Sequence, residues 1–253
     1  MILVLGGTKE GREIIKLLLN QNKKVIASVV SDYGYNLLSG YGIKINKGKL
    51  DTRQMKKFII ENKIDLIIDA THPFAEIVSR NAMEVCNNRG IKYLRYEREE
   101  IEIGSLDNDL LIPVKGFEEG ARRADAFNKI LLTTGSNNLD IFTDLITNWQ
   151  KKLIVRVLPY YKYLKKLYQI GFSPANIIAI QGPFSKEFNQ TLIRDYKIDV
   201  LLTKASGKIG GADTKIQAAF AENIPVILIK RPEIDYKQVV RTYQQLMTVI
   251  EGG

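Results

Sequence analysis

Short apolar runs alternate with helix-length amphipathic stretches along almost the whole chain, and this alternation restricts the fold more than any other feature. ILVLG at residues 2–6 is followed by the helical pattern at 9–21, and IDLIIDA at 64–70 is followed by another at 73–88. Strands that alternate with helices are typical of βαβ units. Strands that are apolar on both faces suit parallel sheets covered by helices on each side. The sequence therefore predicts an α/β fold with mostly parallel sheets.

The alternation is interrupted once, by the less regular stretch EIGSLDNDLLIPVKG at residues 102–116, and it restarts with KILLTTG at 129–135. Further strand candidates follow, each with a helical pattern behind it: KLIVRVLP, NIIAIQG, IDVLLTK and PVILIKRP. The chain is long enough for two such units. We predict one domain at residues 1–127 and a second at 128–253.

The charge and the apolar content of the chain limit the kinds of molecule that it is expected to bind. The 253 residues carry 37 Lys and Arg against 28 Asp and Glu, a formal net charge of +9. The basic residues are scattered in pairs instead of forming a stripe or tail, which argues against nucleic acid, whereas a polyanionic small molecule would still gain from the positive field. No apolar run approaches the roughly 20 residues of a membrane helix. We therefore expect a cytoplasmic protein with no membrane partner.

A single cysteine, Cys86, lies within a helical pattern. It excludes a disulfide framework within the chain and a thiolate metal cluster built from it. We predict no metal site.

The glycine-rich loop after the first strand, in VLGGTKEGRE, lies where a pyrophosphate can rest on a helix N-terminus. Measured against G-x-G-x-x-G, Gly6 and Gly11 match the outer glycines, and Thr8 replaces the middle one. The Thr8 hydroxyl is a candidate donor to phosphate. At the end of the second strand, Ser31 suits a 2′-phosphate and Asp32 suits a ribose diol, so NADPH and NADH both fit.

The segment DATHPFA at residues 69–75 contains the only histidine and directly follows an apolar strand. One interpretation is that Thr71 or His72 caps the next helix, with Pro73 in its first turn. The other is chemical, because the carboxyl ends of parallel strands hold the ligands of α/β folds. His72 is also eligible as a proton donor, since its ordinary pKa is near working pH.

Basic and hydroxyl side chains follow several other strands. Arginine binds a carboxylate bidentately and lysine adds a mobile charge, so candidates for a carboxylate clamp are Arg95, Arg98, Arg156, Lys204 and Lys215. Small polar turns add serines that can cap a helix or bind a ligand: Ser136, Ser185 and Ser206.

In order along the chain, the motifs LGGTKEGRE, DATHPFA, LRYER, TTGSNNL, RVLP, IQGPFS, TKASG and IKRP resemble those of the precorrin-6A reductase family of cobalamin (vitamin B12) biosynthesis. DATHPFA followed by LRYER is the most specific part. The chain departs from the family at Glu99, where many members have proline after the second arginine of that motif.

The resemblance implies reduction of one double bond of precorrin-6A, or of its cobalt complex, to precorrin-6B by NADPH or NADH. It also implies two Rossmann-like domains with an interdomain cleft, the coenzyme bound mainly to the first and the anionic tetrapyrrole mainly to the second. Coenzyme contacts are expected from Gly6, Gly7, Thr8, Glu10, Ser31, Thr71 and His72. Substrate contacts are expected from the basic and serine candidates above, and the next pathway enzyme is a candidate partner.

Two other functions stay open at this stage. A Rossmann-type oxidoreductase or epimerase acting on a sugar nucleotide would bind coenzyme but not tetrapyrroles. A non-catalytic carrier or sensor would bind a tetrapyrrole without coenzyme turnover.

Overall fold

Two α/β units make up the chain. A computed structural model describes residues 1–97, 108–207 and 212–252, with residue 212 described by its backbone alone. The first unit comprises Met1–Arg98 and Glu233–Gly253, and the second comprises Glu99–Pro232. Strands and helices are labelled below in chain order.

Within the described residues, the first unit is built on a six-stranded parallel sheet. Its strands, in spatial order, are β12 (Val239–Val240), β5 (Lys92–Tyr96), β4 (Leu66–Asp69), β1 (Ile2–Leu5), β2 (Val25–Val29) and β3 (Lys44–Lys47). Its helices are α1 (Lys9–Asn20), α2 (Asp32–Leu38), α3 (Thr52–Glu61), α4 (Glu76–Arg89) and α11 (Tyr243–Glu251). A short 3-10 turn follows α2 at Ser39–Tyr41.

Helices cover both faces of this sheet, as the apolar strands predict. Leu3 of β1 packs in one buried cluster with Met55 of α3 and Val85 of α4. Its neighbour Val4 faces the opposite side and packs in a second cluster with Ile14 of α1. Successive residues of β1 thus fill two cores, because side chains alternate across a strand.

The second unit repeats this plan with a second six-stranded parallel sheet. Its strands, in spatial order, are β6 (Leu111–Val114), β11 (Val226–Ile229), β10 (Val200–Lys204), β7 (Ile130–Leu132), β8 (Leu153–Val157) and β9 (Ile177–Ala179). Its helices are α5 (Phe117–Ala124), α6 (Leu139–Leu145), α7 (Trp149–Lys152), α8 (Tyr161–Ile170), α9 (Lys186–Asp195) and α10 (Ala212–Ala221), with a 3-10 turn at Pro174–Asn176. In the described ranges of both units, no helix has the length and apolarity needed to cross a membrane.

The two sheets have the same strand order. With β1 or β7 numbered as strand 1 and the edge strand β12 or β6 as strand 6, each sheet has the spatial order 3-2-1-4-5-6. This is the order of the dinucleotide-binding α/β fold. The predicted pair of α/β units with parallel sheets is therefore confirmed.

The sixth strand of each sheet does not follow the fifth along the chain. In the first unit β12 comes from the end of the chain and pairs with β5, with Val239 opposite Arg95. In the second unit β6 precedes all the other strands and pairs with β11, with Leu111 opposite Val226. The two units therefore do not meet at the predicted boundary between residues 127 and 128. The reason is that β6 pairs within the second unit and β12 within the first, although each lies far along the chain from its pairing partner.

Each sheet has one point where the chain reverses its direction of winding: between β1 and β4 in the first unit, and between β7 and β10 in the second. Loops on either side of such a point diverge and leave a crevice at the carboxyl ends of the strands. The loops after these four strands contain many of the predicted site residues, among them Thr8, Thr71, Ser136 and Ser206.

Candidate functional site

The loop after β1 has the backbone geometry of a phosphate-binding turn. Gly7 has a φ of +110°, a left-handed conformation that favours glycine. Gly11 lies in the first turn of α1, where an added Cβ would stand 3.2 Å from the Cα of Gly6. Glycine at that position therefore lets α1 pack closely against the loop, the role of the third glycine in the dinucleotide fingerprint.

Thr8 joins this loop to the loop after β4. Its hydroxyl accepts a hydrogen bond from the Gly11 N–H at 3.1 Å, which caps α1, and donates to the Ala70 carbonyl at 2.8 Å. The hydroxyl proton is therefore used within the protein, so the predicted donation from Thr8 to a phosphate is not supported. The groups at this loop that suit an anion are the backbone N–H groups of the α1 N-terminus.

Asp69, the last residue of β4, organises the turn that contains the histidine. Its Oδ1 accepts from the Thr71 backbone N–H at 3.0 Å and from the Thr71 hydroxyl at 2.7 Å. Its Oδ2 accepts from the hydroxyls of Ser79 and Tyr93, each at 2.6 Å. Burial, together with the charge of Asp69, raises the pKa of Tyr93, so its phenol is a donor. The Thr71 side chain thus orders the turn, and the predicted coenzyme contact from its hydroxyl is not supported.

Arg95 is part of the same buried network. It lies directly opposite Asp69 in the β4–β5 pairing, and its Nη1 lies 3.0 Å from Asp69 Oδ1. The side chain is 1% exposed, and the guanidinium stacks over the Tyr236 ring at 5.1 Å. Its predicted role as a substrate clamp is not supported, because its charge is already paired with Asp69. The companion candidate, Arg98, lies outside the described residues.

His72 is half-buried in this turn. Its Nδ1 accepts a hydrogen bond from the Phe74 backbone N–H at 3.2 Å, and the two rings lie 5.8 Å apart. Helix α4 begins at Glu76 without a side-chain cap, so the capping interpretation of Thr71 and His72 is wrong. What His72 stabilises is the turn that precedes the helix.

Glu10 lies behind the loop. Its side chain is 4% exposed and borders a cavity of about 10 Å³, the size of one water, together with Thr71 and Arg95. Burial at this depth does not support the predicted coenzyme contact from the Glu10 carboxylate. Coenzyme contact by Gly6 and Gly7 stays a prediction.

The end of β2 presents a charge pair that the sequence did not reveal. Ser31 caps α2 by accepting from the Gly34 N–H at 3.0 Å. The next residue, Asp32, forms an ion pair with Lys47 at the end of β3, and that ammonium also lies 5.6 Å from the centroid of the Tyr35 ring. Because Lys47 neutralises Asp32, the carboxylate at this strand end does not stand as a lone negative charge.

The carboxyl edge of the second sheet concentrates positive charge. Arg156 lies near the end of β8, Lys204 ends β10, and Lys215 lies in the first half of α10; Arg156 and Lys215 are buried. Burial lowers the pKa of Arg156 to about 10 and that of Lys204 to about 8. Burial, followed by the charges of Arg156 and Lys204, lowers the pKa of Lys215 to about 7. These three predicted candidates are therefore brought together.

Arg156 is held in a fixed orientation. Its Nη1 donates to Asn189 Oδ1 at 2.8 Å, and its guanidinium lies 4.8 Å from the centroid of the Phe184 ring. Asn189 is positioned in turn by donating to the Ser185 carbonyl at 2.7 Å. A neutral amide orients this arginine without neutralising it, which leaves its charge for a ligand.

The serine candidates divide into two kinds. Ser136 follows β7 and Ser206 follows β10, the two strands between which the second sheet reverses its winding. Both serines are buried. Ser185 caps α9, where its hydroxyl accepts from the Phe188 N–H at 3.1 Å. Capping accounts for Ser185, and ligand binding by Ser136 and Ser206 stays a prediction.

Several residues of these sites were missed in the sequence. Asp69 was part of a noted motif but was not assigned a role, and its spacing of two residues from Thr71 was a usable signal for an Asx turn. Lys47, Tyr236 and Asn189 carry no local signal, because each reaches its partner only through tertiary packing.

These features define a class: a two-unit, doubly wound α/β protein with a dinucleotide-type loop in one unit and a buried cation cluster in the other. The family model described as Precorrin-6x reductase CbiJ/CobK matches residues 1–251. The chain is 38% identical over 249 residues to the cobalt-precorrin-6A reductase of Priestia megaterium, covering 98% of this chain and 96% of that one. It is 40% identical over 238 residues to the cobalt-precorrin-6A reductase of Methanocaldococcus jannaschii, covering 93% and 92%.

A solved structure titled CobK precorrin-6A reductase superposes with a TM-score of 0.79 at 21% identity, covering 99% of this chain and 96% of that one. At this identity the likeness shows a common fold. The family match and the two sequence relatives go further: the chain belongs to the precorrin-6x reductase family. It is an oxidoreductase of cobalamin biosynthesis that works with a nicotinamide coenzyme, so the predicted resemblance is confirmed.

Proposed function

We propose that this chain reduces one double bond of the cobalt-precorrin-6A macrocycle to give cobalt-precorrin-6B. The observation that carries the proposal is the cation cluster of the second unit, in which Arg156 and Lys215 are buried without a carboxylate partner among the described residues. Buried charges are costly unless a ligand or partner compensates them. A tetrapyrrole with many acetate and propionate arms supplies that compensation.

The cobalt-loaded macrocycle is proposed over the metal-free one because the two relatives at 38% and 40% identity are both named for the cobalt complex. Cobalt enters as part of the substrate. Arg156 is proposed to hold one carboxylate through its oriented guanidinium, and Lys204 is proposed to hold another.

The first unit is proposed to hold the coenzyme. Gly7 with its positive φ, the close contact at Gly11 and the N-terminus of α1 together fit a pyrophosphate. When bound, the dihydronicotinamide supplies hydride to the macrocycle. His72 is proposed to bind the coenzyme through Nε2–H, because Nδ1 already accepts from Phe74.

NADPH is the proposed coenzyme. An acid at the end of β2 normally binds the ribose diol and repels a 2′-phosphate. Here Lys47 pairs with Asp32, and the Ser31 hydroxyl, which accepts from Gly34, still has a proton to donate. A 2′-phosphate can therefore bind beside Ser31 and Lys47 without facing an uncompensated carboxylate.

The test is an anaerobic assay of the purified protein with cobalt-loaded and metal-free precorrin-6A in parallel, each with NADPH or NADH. Coenzyme absorbance and product mass are followed. Oxidation of NADPH with a gain of two hydrogens in the cobalt complex is the expected result. Tight substrate binding without coenzyme oxidation would support a carrier instead, and coenzyme binding without tetrapyrrole affinity would support a sugar-nucleotide enzyme.

A cytoplasmic location is proposed as well, because the reaction draws on the nicotinamide coenzyme pool of the cell interior. Contact with the next pathway enzyme stays a prediction.

A further inference from the structure

Two tyrosines from the second segment of the first unit stack on neighbouring residues of β5. Tyr236 precedes β12, and its ring lies over the Arg95 guanidinium, 5.1 Å from the centroid. Tyr243 begins α11 and stacks on Tyr96 at 5.3 Å, with the two ring planes 11° apart. Because side chains alternate along a strand, Arg95 and Tyr96 point to opposite faces of the sheet. The Tyr236 stack is the one on the face that carries the network around Asp69.

The Tyr236 ring lies against both of the side chains that hold the two oxygens of Asp69. Arg95 Nη1 donates to Asp69 Oδ1 at 3.0 Å, and the Tyr93 hydroxyl donates to Oδ2 at 2.6 Å. Tyr236 covers the guanidinium of the first and is nearly parallel to the ring of the second, at 6.5 Å and 10°. One side chain near the end of the sequence therefore packs on two partners of the same buried carboxylate.

A ring in this position fixes the plane of the arginine. The Arg95 side chain is 1% exposed, so its charge has to be compensated within the protein. Its Nη1 donates in the plane of the guanidinium to Asp69 and, at 3.2 Å, to the Thr71 hydroxyl. The negative face of an aromatic ring attracts the cation from above that plane, which leaves the in-plane donors available. Tyr236 thus favours the orientation in which Nη1 reaches both acceptors.

The same network joins the two loops at the carboxyl edge of the first sheet. The Thr71 hydroxyl donates to Asp69, which orders the turn at residues 69–75 that contains His72. The Ala70 carbonyl in this turn accepts from the Thr8 hydroxyl, which also caps α1 behind the glycine loop. The position of the glycine loop relative to the histidine turn therefore depends on where these side chains are held.

The segment that carries Tyr236 is itself fixed from two sides. Strand β12 follows it and pairs with β5, and the Arg95 backbone N–H donates to the Gln238 carbonyl at 3.0 Å. The Lys237 ammonium donates to Asn87 Oδ1 on α4 at 2.7 Å. The place of the ring is thus set by the sheet on one side and by α4 on the other.

We propose that Tyr236 is a positioning residue for the coenzyme. It holds Arg95, and through Arg95 the turn at residues 69–75, in the arrangement that binds the dinucleotide. The proposal rests on the proposed function, in which the first unit binds NADPH. Without the ring, the turn would occupy the binding arrangement for a fraction of the time, and the apparent Kd would rise by the inverse of that fraction.

The first test compares the two tyrosine stacks. Tyr236→Leu removes the ring over Arg95 and is expected to raise the Kd for NADPH about tenfold. Tyr243→Leu is the matched control, because it removes a stacked tyrosine of the same segment on the opposite face, where Tyr96 packs with Leu246. Its Kd is expected to stay within about twofold of wild type. Fluorescence titration gives Kd, at a temperature where circular dichroism shows each variant to be folded.

Thermal unfolding of the same variants separates positioning from general stability. Each variant loses one aromatic stack, so the midpoint of unfolding is expected to fall in both. A purely structural tyrosine would lower the midpoint without changing the Kd of the folded protein. The positioning role predicts that the Kd rises in Tyr236→Leu alone.

A second series keeps the ring and changes its electron density. Tyr236→Phe retains the aromatic face, and its Kd for NADPH is expected to stay within about threefold of wild type. Phenylalanine analogues with one to three fluorine atoms at this position draw electrons from the face and weaken its attraction for the guanidinium. The Kd is expected to rise with each fluorine. This series remains informative if Tyr236→Leu fails to fold, because the packing of the ring is preserved.

The outcomes distinguish this proposal from the proposed function. If the wild-type protein binds neither NADPH nor NADH, the proposed coenzyme site fails. If it binds NADPH and Tyr236→Leu binds with the same Kd, the function stands and the role of Tyr236 is overturned. An equal rise in Tyr236→Leu and Tyr243→Leu, or a constant Kd across the fluorinated series, would overturn that role as well.

Discussion

The two sheets have the same strand order, but the buried charges at their carboxyl ends are arranged in opposite ways. In the first unit, Arg95 and Asp69 face each other across β4 and β5 and are paired, with Thr71 joined to the same carboxylate. In the second unit, Arg156 and Lys215 stand beside each other and repel. The charges at the first edge compensate each other, whereas the proposed compensation at the second edge is a negatively charged ligand. The same fold thus contains a buried ion pair in one unit and a cluster of like charges in the other.

The largest expected effect comes from breaking the pair in the first unit. Asp69→Ala leaves the Arg95 guanidinium buried without its counter-charge and is expected to lower the free energy of unfolding by about 3–5 kcal/mol. The measurement is urea unfolding followed by circular dichroism. Asp32→Ala removes the carboxylate of a partly exposed pair and serves as the control, with an expected loss of about 1 kcal/mol or less. Equal losses in the two variants would show that the buried pair of the first unit contributes no more than the partly exposed one.

The corresponding change in the second unit should have the opposite sign. Lys215→Met removes a buried cation and is expected to raise the stability of the ligand-free protein by about 1–4 kcal/mol at pH 6. The pKa of Lys215 is lowered from 10.5 to about 7 in the folded state, so the unfolded chain binds more protons between those values and wild-type stability gains as pH rises through them. The advantage of the variant should therefore shrink between pH 7 and 10. A constant advantage across that range would show that the lysine is not desolvated as described.

A smaller effect is expected at the proposed coenzyme site of the first unit. Lys47→Ala removes the cation beside Ser31 and the ion-pair partner of Asp32, so NADPH should bind about tenfold more weakly, which corresponds to about 1.4 kcal/mol. NADH, which has no 2′-phosphate, should bind with nearly the same Kd. Fluorescence titration with both coenzymes gives the two values. Equal weakening for NADPH and NADH would remove the basis for the proposed preference.

The smallest expected effect is that of His72→Asn. The asparagine Oδ1 can accept from the Phe74 N–H in place of Nδ1, so the turn should persist. Loss of the Nε2–H donor should weaken NADPH binding by less than about tenfold. Steady-state KM for the coenzyme and kcat are measured together. Unchanged KM and kcat would exclude His72 from binding and from proton donation alike.

The parts of the fold that depend on short sequence patterns could be predicted from the sequence. The apolar runs of β1 and β4, and the glycines at 6 and 11, predicted parallel strands and a phosphate-type turn that the structure contains. The sixth strands were not accessible. The two residues of β12 carry no periodicity, and their pairing partner lies more than a hundred residues earlier.

The site was predicted less completely, for a related reason. Arg95 follows a strand pattern that gives its position but not its register, and a shift of one residue would turn it away from Asp69. Only the pairing across β4 and β5 shows that it is an internal partner instead of a ligand clamp. Arg156, Lys204 and Lys215 were predicted to lie near one another because their segments follow strands of one sheet, and the structure brings them together. Their role in substrate binding stays a prediction.

Strand β12 belongs to the first unit but is synthesised after the strands of the second unit, so the two units are completed on the ribosome in the reverse of their order of starting. The first unit begins at residue 1 but needs β12 and the stacking of Tyr236 on Arg95, both of which come from its second segment, Glu233–Gly253. The second unit has all its strands once residue 232 has been made. At a synthesis rate of about 5–20 residues per second, the chain between β5 and β12 takes about 7–30 seconds to make, so the first unit is completed that much later than most of its sheet. During that interval the second unit has its strands while the first still lacks β12.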